Sequence, residues 1–303
     1  MARLSPDPPR PREVFRVRPG RRLIKTRESE RLQRLKRGLW AVVETPLFNR
    51  VLVATYVITG LVLALALARA SGIIDPRLWR VLAPLLQEGA RNTALFSVMI
   101  IPLGAALGFL LGWARFSRHA VLSWPVAVYV NVVRGIPQLV LILFAFFWLP
   151  SVFPTVGSGL TFAVLALVIH TSAYQAEIFR AGFQSVARGQ VDAAHAVGMT
   201  GSNVMRFVVL PQTFRVTLPA LGNEFALIVK DSSLLAAIGA AELVYWGRNS
   251  AQFALIGYGV VEWVFVTWIV VALLYFIITY IITQATAAIE HAFRVPGLGS
   301  VAF

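Results

Sequence analysis

The chain has 303 residues, of which 57% are hydrophobic and only 14% are charged, and its mean hydropathy is +0.71. Soluble domains contain about 45–50% apolar and about 25% charged residues, so this composition excludes a single soluble domain. Cysteine is absent and the four histidines lie far apart in sequence, which excludes a disulfide framework and a thiolate metal site. We therefore predict no metal site.

The positive charge is concentrated at the N-terminus, where residues 1–50 hold 14 of the 28 Lys and Arg residues and 5 of the 14 Asp and Glu residues. We assign residues 1–49 to a basic cytoplasmic tail, 50–290 to a transmembrane domain and 291–303 to a cytoplasmic C-terminal tail. Residues 27–44 have two interpretations: a basic helix held on the membrane surface by anionic lipid, or a solvated tail that only fixes topology. Nucleic-acid binding is not predicted, because no aromatic surface accompanies the charge.

Long apolar runs follow the tail and predict an all-α integral membrane protein. A helix rises about 1.5 Å per residue, so roughly 20 apolar residues cross about 30 Å of hydrocarbon. The spans must be helical, because lipid offers no partner to unpaired backbone groups. We predict six spans, at residues 50–69, 91–114, 126–150, 160–180, 215–238 and 262–285.

The uncharged stretch 135–176 is too long for one span. Prolines and glycines near its middle predict a turn between two spans; they are Pro150, Pro154, Gly157 and Gly159.

The distribution of basic residues predicts the orientation. With the N-terminus in the cytoplasm, the loops on that side hold 21 of the Lys and Arg residues and the opposite loops hold 5. Cytoplasmic loops carry such an excess, so both termini are expected in the cytoplasm.

The loop at 182–214, between the fourth and fifth predicted spans, reads as a helical hairpin. Alanines within 193–196 give the first helix a face of small side chains. Gly198 permits the left-handed turn that ends this helix. Pro211 is expected to stop the second helix. The expected N-cap of the second helix is Ser202 or Asn203. A protruding hairpin with small side chains favours close docking by another protein. The alternative interpretation is that the loop is an ordinary amphipathic connection between two spans.

The spacing within this loop is similar to a known signature. Asp192-Ala193-Ala194, three residues, Gly198, nine residues, Val208, one residue and Leu210-Pro211 resemble the "EAA" signature of bacterial ABC importer permeases. That signature reads Glu-Ala-Ala, three residues, Gly, nine residues, Ile, one residue, Leu-Pro. The two departures, Asp for Glu and Val for Ile, keep charge and character.

Flanking motifs resemble the polar amino-acid branch of these permeases, over about residues 88 to 290. The matching segments are Arg134-Gly135-Ile136-Pro137, Ala173-Tyr174-Gln175-Ala176-Glu177-Ile178-Phe179-Arg180, Leu210-Pro211-Gln212, Asn223-Glu224-Phe225 and Lys230-Asp231-Ser232-Ser233-Leu234.

The resemblance implies a type I ABC importer permease bundle in a bacterial plasma (inner) membrane. It implies a dimer with a second permease copy or a sister permease, two ATP-binding cassette ATPase subunits, and a solute-binding protein that delivers cargo. A coupling helix near Asp192 to Asn203 would dock on the ATPase. The implied coupling residues are Gly189, Asp192, Ala193, Ala194, Gly198, Leu210 and Pro211. Since this family commonly has five spans, 50–69 would be an additional one.

The chain is not expected to hydrolyse ATP. A phosphate loop needs Gly-Lys followed by Ser or Thr, and the lysines are Lys25, Lys36 and Lys230, none of which follows a glycine. ATP and Mg²⁺ are therefore expected in the partner ATPase, with no cofactor in this chain.

Charged side chains within a membrane span are energetically costly, so we expect such residues to be functional or paired with an opposite charge. Glu177 and Arg180 are three residues apart and share a helix face, which predicts an ion pair. Lys230 and Asp231 are adjacent and cannot face each other, which predicts either partners on other spans or a local break at Asp231-Ser232-Ser233. The candidate substrate-path residues are Glu177, Arg180, Asn223, Glu224, Lys230, Asp231, Ser232 and Ser233.

An amino-acid cargo is a zwitterion, so a site should present acceptors to its ammonium group and donors to its carboxylate. Glu224 is the candidate acceptor, and Asn223 or the hydroxyls of Ser232 and Ser233 are the candidate donors. Arg134 has two interpretations: an interfacial anchor at the inner end of the third span, or a deeper position beside a proline kink. The alternative function is a secondary transporter or channel for small polar solutes, which would have no use for a docking hairpin.

Overall fold

The computed structural model describes residues 75–117 and 119–292, with side chains described to residue 290. These residues form helices joined by short turns and contain no strand, which confirms the predicted all-α class. The α-helices are α1 (Pro76–Pro84), α2 (Ala90–Phe116), α3 (Ala120–Gly135), α4 (Gln138–Val152), α5 (Gly159–Ser185), α6 (Arg188–Ala196), α7 (Gly201–Val204), α8 (Leu210–Asp231), α9 (Leu243–Gln252) and α10 (Val261–Ala292). π-Helical turns at Leu85–Gly89, Met205–Val209 and Phe253–Gly257 and a 3₁₀ helix at Ser232–Ile238 complete the described elements.

Three described helices are long and apolar enough to cross a membrane: Pro76–Phe116, Gly159–Ser185 and Val261–Glu290. They contain the predicted spans at 91–114, 160–180 and 262–285. The predicted span at 50–69, the tail at 1–49 with its possible helix at 27–44, and residues 293–303 lie outside the described residues.

The predicted span at 126–150 is broken by a sharp bend. α3 and α4 form a pair bent by 100°, which counts as a fourth crossing if the two are taken together. Ile136 has an extended backbone, with φ −94° and ψ 131°, because the ring of Pro137 disfavours helical geometry in the residue before it. The bend therefore lies at Gly135-Ile136-Pro137, inside the apolar run.

The predicted span at 215–238 is helical but changes type. α8 ends at Asp231 and continues as the 3₁₀ helix Ser232–Ile238, which ends at Gly239 with φ +80°. The hydroxyl of Ser232 donates to the carbonyl of Val229 over 2.7 Å, and such local bonds compete with the helical backbone ladder. The predicted local break at Asp231-Ser232-Ser233 is confirmed.

The central helix of the bundle is α5. Its most apolar window is 72% buried, against 11% for α10. α2 packs closely along α5 because three of its residues lack a side chain: a Cβ at Gly104, Gly108 or Gly112 would lie within 2.7 Å of an α5 side chain. Small residues four apart permit this approach between membrane helices, where packing replaces the hydrophobic effect.

Candidate coupling hairpin and translocation path

The loop predicted at 182–214 forms a helical hairpin at one end of the bundle, between α5 and α8. Its first helix, α6, ends at Ala196, and Gly198 follows two residues later with a φ of +86°, in the left-handed region. The amide of Gly198 donates to His195 O and that of Met199 to Ala194 O, at 2.9 and 3.1 Å. This is the capping pattern expected where a glycine ends a helix, so the predicted turn is confirmed.

Two details of the predicted hairpin are wrong. The N-cap of its second helix is Thr200, whose hydroxyl accepts from the amide of Asn203 at 3.4 Å; neither Ser202 nor Asn203 caps the helix. Pro211 does not stop the helix either, because it lies in the first turn of α8, where a missing N–H is tolerated. The preceding π turn, in which the Leu210 amide bonds Met205 O, carries the chain into α8 without a break.

The predicted coupling residues divide into an outer and an inner group. Ala194 is buried and packs with Phe183 and Val204 beneath the hairpin. Leu210 and Pro211 are partly buried at the start of α8. The exposed members are Gly189, Asp192, Ala193 and Gly198, and we call these four residues the outer face of the hairpin.

Val197 lies between Ala196 and Gly198 and is 80% exposed. A single exposed apolar residue is ordinary on a protein surface, so Val197 is a position that a docked partner could reach and does not itself mark a contact surface. Sequence reasoning missed this residue, although its place beside Gly198 was the available signal.

Five phenylalanines lie beneath the hairpin and connect it to three long helices. Phe116 of α2 stacks on Phe183 of α5, with ring centroids 5.3 Å apart. Phe109 of α2 contacts Phe179 of α5 at 5.2 Å and Phe214 of α8 at 5.6 Å. Ala194 and Val204 pack against this aromatic cluster, so the hairpin and the bundle share one close-packed core at this end.

Glu224 joins α8 to the centre of α5. Its carboxylate accepts a bond of 3.3 Å from the hydroxyl of Thr171, which in turn accepts from the Gln175 amide at 3.0 Å. Thr171 and Gln175 are buried, and the amide oxygen of Gln175 has no bonding partner within the described part of the chain. Glu224 therefore ends a chain of hydrogen bonds that runs from Gln175 through Thr171, and its half-buried carboxylate keeps acceptor positions for a cationic group.

The remaining predicted path residues of α8 face two directions. Asp231 lies near the side chain of Gln138 at the start of α4 and interacts with Glu224 only electrostatically, carboxylate to carboxylate. Lys230 and Ser233 instead line a cavity of about 320 Å³ that also includes Tyr275 of α10. Ser232 is buried and Asn223 is exposed. These residues therefore do not converge on a single pocket.

The predicted ion pair between Glu177 and Arg180 is confirmed, with 2.7 Å between Oε2 and Nε. Arg180 also donates to Gln184 at 2.7 Å. Sequence reasoning missed that Arg115, from the last turn of α2, binds the other oxygen of Glu177. Glu177 lies toward the hairpin, about 9 Å of helix beyond Thr171 on α5.

A fully buried carboxylate that sequence reasoning also missed, Glu242, lies before α9. It accepts from the amide of Tyr245 at 2.8 Å, as an N-cap, and from the hydroxyl of Tyr275 on α10. The next amide, of Leu243, donates to Thr93 of α2 at 3.1 Å. A glutamate before a helical segment was the available signal. In the described residues, no three His, Cys, Asp or Glu side chains form a metal-binding group.

The chain resembles curated permeases over most of its described length. It is 33% identical over 213 residues to the glutamine transport system permease protein GlnP of Escherichia coli strain K12, covering 70% of this chain and 94% of that protein. It is also 33% identical over 208 residues to the L-cystine transport system permease protein TcyB of Bacillus subtilis strain 168, covering 69% of this chain and 86% of that protein.

Solved structures of ABC transporters are also similar to this chain. A chain of an amino acid ABC transporter crystallised with histidines matches with a TM-score of 0.60 and 30% identity, over 72% of this chain and 99% of that one. A chain of the MetNI methionine ABC transporter in an inward-facing conformation shares the fold, with a TM-score of 0.57 at 21% identity, over 73% of this chain and 100% of that one.

These likenesses confirm the predicted resemblance to type I ABC importer permeases and favour it over a secondary transporter or channel. ATP hydrolysis in such importers takes place in a separate subunit. Residues 100–295 match the family described as the inner membrane component of binding-protein-dependent transport systems. The chain belongs to this family and is a multi-pass inner-membrane transport subunit.

Proposed function

We propose that the chain is the permease subunit of an importer for polar amino acids, driven by an ATPase that docks on the hairpin. The observation that carries the proposal is the outer face of the hairpin, Gly189, Asp192, Ala193 and Gly198, exposed above a shared core. The names of the relatives, which include glutamine and L-cystine permeases, support the cargo class.

Family membership implies an ATPase and a solute-binding protein as partners. We propose two ATP-binding cassette subunits per assembly, two permeases, either copies of this chain or this chain and a sister, and ATP with Mg²⁺ held in the ATPase. Docking on the ATPase requires the hairpin to face the cytoplasm, which agrees with the distribution of basic residues. Both termini are proposed on that side, with 1–49 and 291–303 as tails and 182–214 as the coupling loop.

The hairpin transmits movement of the ATPase to the membrane helices. When the ATPase subunits close on ATP, the outer face of the hairpin moves with them. Ala194 and Val204 press on the aromatic cluster, and the close packing of this cluster transmits the displacement to α2, α5 and α8. Packed cores shift between discrete arrangements, so the helices rock as units.

Cargo is proposed to pass beside α8. Glu224 accepts the ammonium group of the cargo, and the 3₁₀ helix after Asp231 permits local rearrangement of the path. Backbone that departs from a regular helix at membrane depth is tolerated where it lies against protein or a wet cavity. Asn223, Lys230, Ser232 and Ser233 stay candidates for contact with the cargo carboxylate, whereas Glu177 and Arg180 serve the bundle near the hairpin.

The test is uptake of labelled glutamine into proteoliposomes that contain this chain with its ATPase and solute-binding protein. We expect uptake only with ATP inside and with both partners present. A secondary transporter would instead accumulate glutamine without the ATPase, and uptake of that kind would overturn the proposal. An ATPase with a defective hydrolytic glutamate provides the matched control, because it still docks but does not turn over.

A further inference from the structure

Three arginines and one glutamate lie in the same part of the bundle near the hairpin. Glu177 of α5 binds both Arg180 of the same helix and Arg115 of α2. Arg134, in the last turn of α3, lies over the ring of Tyr174, which is one helical turn before Glu177 on α5. We call these four side chains the arginine cluster. With three guanidinium groups and one carboxylate, the cluster carries an excess of two positive charges.

Arg134 is the member of the cluster that is left to bind an anion. Its guanidinium lies over the ring of Tyr174, 5.1 Å from the centroid, and it forms no ion pair with any carboxylate that the structure describes. A cation–π contact orients the group without neutralising it. The residue is exposed, whereas the side chains of Arg115 and Arg180 are mostly buried against Glu177.

The arginine cluster lies at the level of a membrane surface. Glu177 is 18 residues beyond Gly159, the first residue of α5, which corresponds to about 27 Å of helix at 1.5 Å per residue. The hydrocarbon core is about 30 Å thick. Trp113, two residues before Arg115 on α2, is 45% exposed, and tryptophan is enriched where headgroups meet hydrocarbon.

We propose that the arginine cluster binds the phosphate of an anionic phospholipid, such as phosphatidylglycerol, in the leaflet on the hairpin side. A phosphodiester brings only negative charge and matches the excess of two positive charges. A zwitterionic amino acid brings an ammonium group as well, and the one carboxylate of the cluster is already shared between two arginines. Exposed apolar residues of α3, Val121, Val128 and Val132, provide a surface for the acyl chains.

The test measures lipid binding directly and does not depend on transport. The full-length chain is purified with its ATPase in mild detergent, stripped of lipid and titrated with phosphatidylglycerol or phosphatidylcholine, and bound lipids are counted by native mass spectrometry. We expect a preference for phosphatidylglycerol that Arg134→Gln weakens about fivefold, the factor for one basic side chain at an anionic surface. Arg134→Lys should retain most of the binding.

Arg77→Gln is the matched control, because Arg77 is an exposed arginine at the start of α1 that already pairs with Asp75. It should bind phosphatidylglycerol as the unaltered chain does. High salt should release phosphatidylglycerol but not phosphatidylcholine from the unaltered chain, which tests the proposal even if Arg134→Gln fails to fold.

Three outcomes would overturn the proposal. The first is equal retention of the two lipids by the unaltered chain. The second is displacement of phosphatidylglycerol by inorganic phosphate at equal concentration, which would assign the cluster to a free anion. The third is unchanged lipid counts in Arg134→Gln together with a raised KM for glutamine in phosphatidylcholine vesicles, which would assign Arg134 to the cargo carboxylate.

Discussion

Thr171 of α5 donates a hydrogen bond of 3.3 Å to the carboxylate of Glu224 on α8, and this contact ties the central helix to the helix that continues into the 3₁₀ segment. The bond uses one lone pair of a group that has about four acceptor positions. Glu224 therefore keeps acceptor capacity while Thr171 fixes its orientation, which suits a group that holds cargo briefly and then releases it.

Replacing Glu224 with glutamine should raise the KM for glutamine about fivefold. The substitution keeps the shape and the bond from Thr171, but it removes the charge, and a bond to a charged group contributes roughly 1 kcal/mol more than a neutral one. The measurement is uptake in proteoliposomes over a range of cargo concentrations. Glu88→Gln, at an exposed glutamate that pairs with Arg91, should change nothing. An unchanged KM in Glu224→Gln would remove this residue from the path.

Replacing Gly108 with leucine should destabilise the bundle by about 1–3 kcal/mol, the usual cost of overpacking. A Cβ at Gly108 would already lie 2.6 Å from the Cβ of Gln175, so α2 and α5 would have to move apart. Thermal unfolding in detergent measures the effect. Gly201→Ala is the control, since no heavy atom lies within 4 Å of its added Cβ. Equal melting temperatures for the two variants would show that α2 and α5 do not pack in this way.

Replacing Phe183 with alanine should increase the ATP hydrolysed per glutamine imported, as well as destabilise the chain by about 3–5 kcal/mol. The substitution leaves a cavity where Phe116 stacks, so displacement of the hairpin would be absorbed locally. Hydrolysis and uptake are measured on the same proteoliposomes. Phe276→Ala, on an exposed face of α10, should preserve the ratio. A preserved ratio in Phe183→Ala would exclude the aromatic cluster as the transmitting element.

Glu242 and Tyr275 should show an interaction free energy of about 0.5–3 kcal/mol in a double-mutant cycle. Glu242→Ala removes the N-cap of α9 and leaves the hydroxyl of Tyr275 buried without its acceptor, and Tyr275→Phe removes the donor. The free energy of unfolding is measured for both single variants and for the double variant. Strict additivity would mean that the two side chains do not stabilise each other.

The sequence predicted the parts of the fold that depend on local chemistry. Gly198 ends α6 because only glycine adopts its left-handed backbone at little cost, and that requirement is visible in one residue. The bend at Ile136-Pro137 was equally local, but the apolar run around it outweighed the proline in the prediction of one span. The prediction that Pro211 stops a helix was wrong because proline is unfavourable inside a helix but acceptable in its first turn. Only the π turn before α8 shows that Pro211 lies in a first turn.

Contacts between residues that lie far apart in the sequence could not be predicted from it. Arg115 and Glu177 are 62 positions apart and meet only because α2 and α5 pack along the glycines. Glu242 and Tyr275 meet across α9 and α10, and neither residue type reveals its partner. The candidate path residues of α8 were predicted as one set, but a helix distributes neighbouring residues over different faces, so Lys230 and Asp231 lie toward different helices.

Docking of the ATPase on the hairpin is tested most directly with a single cysteine. The chain has no cysteine, so Val197→Cys would carry a unique thiol at an 80% exposed position beside Gly198. A short thiol crosslinker should join this residue to the ATPase subunit in inner-membrane vesicles, with a yield that changes when ATP is added. Absence of a crosslink to the ATPase, together with labelling of the thiol by an impermeant reagent from outside intact cells, would contradict the account.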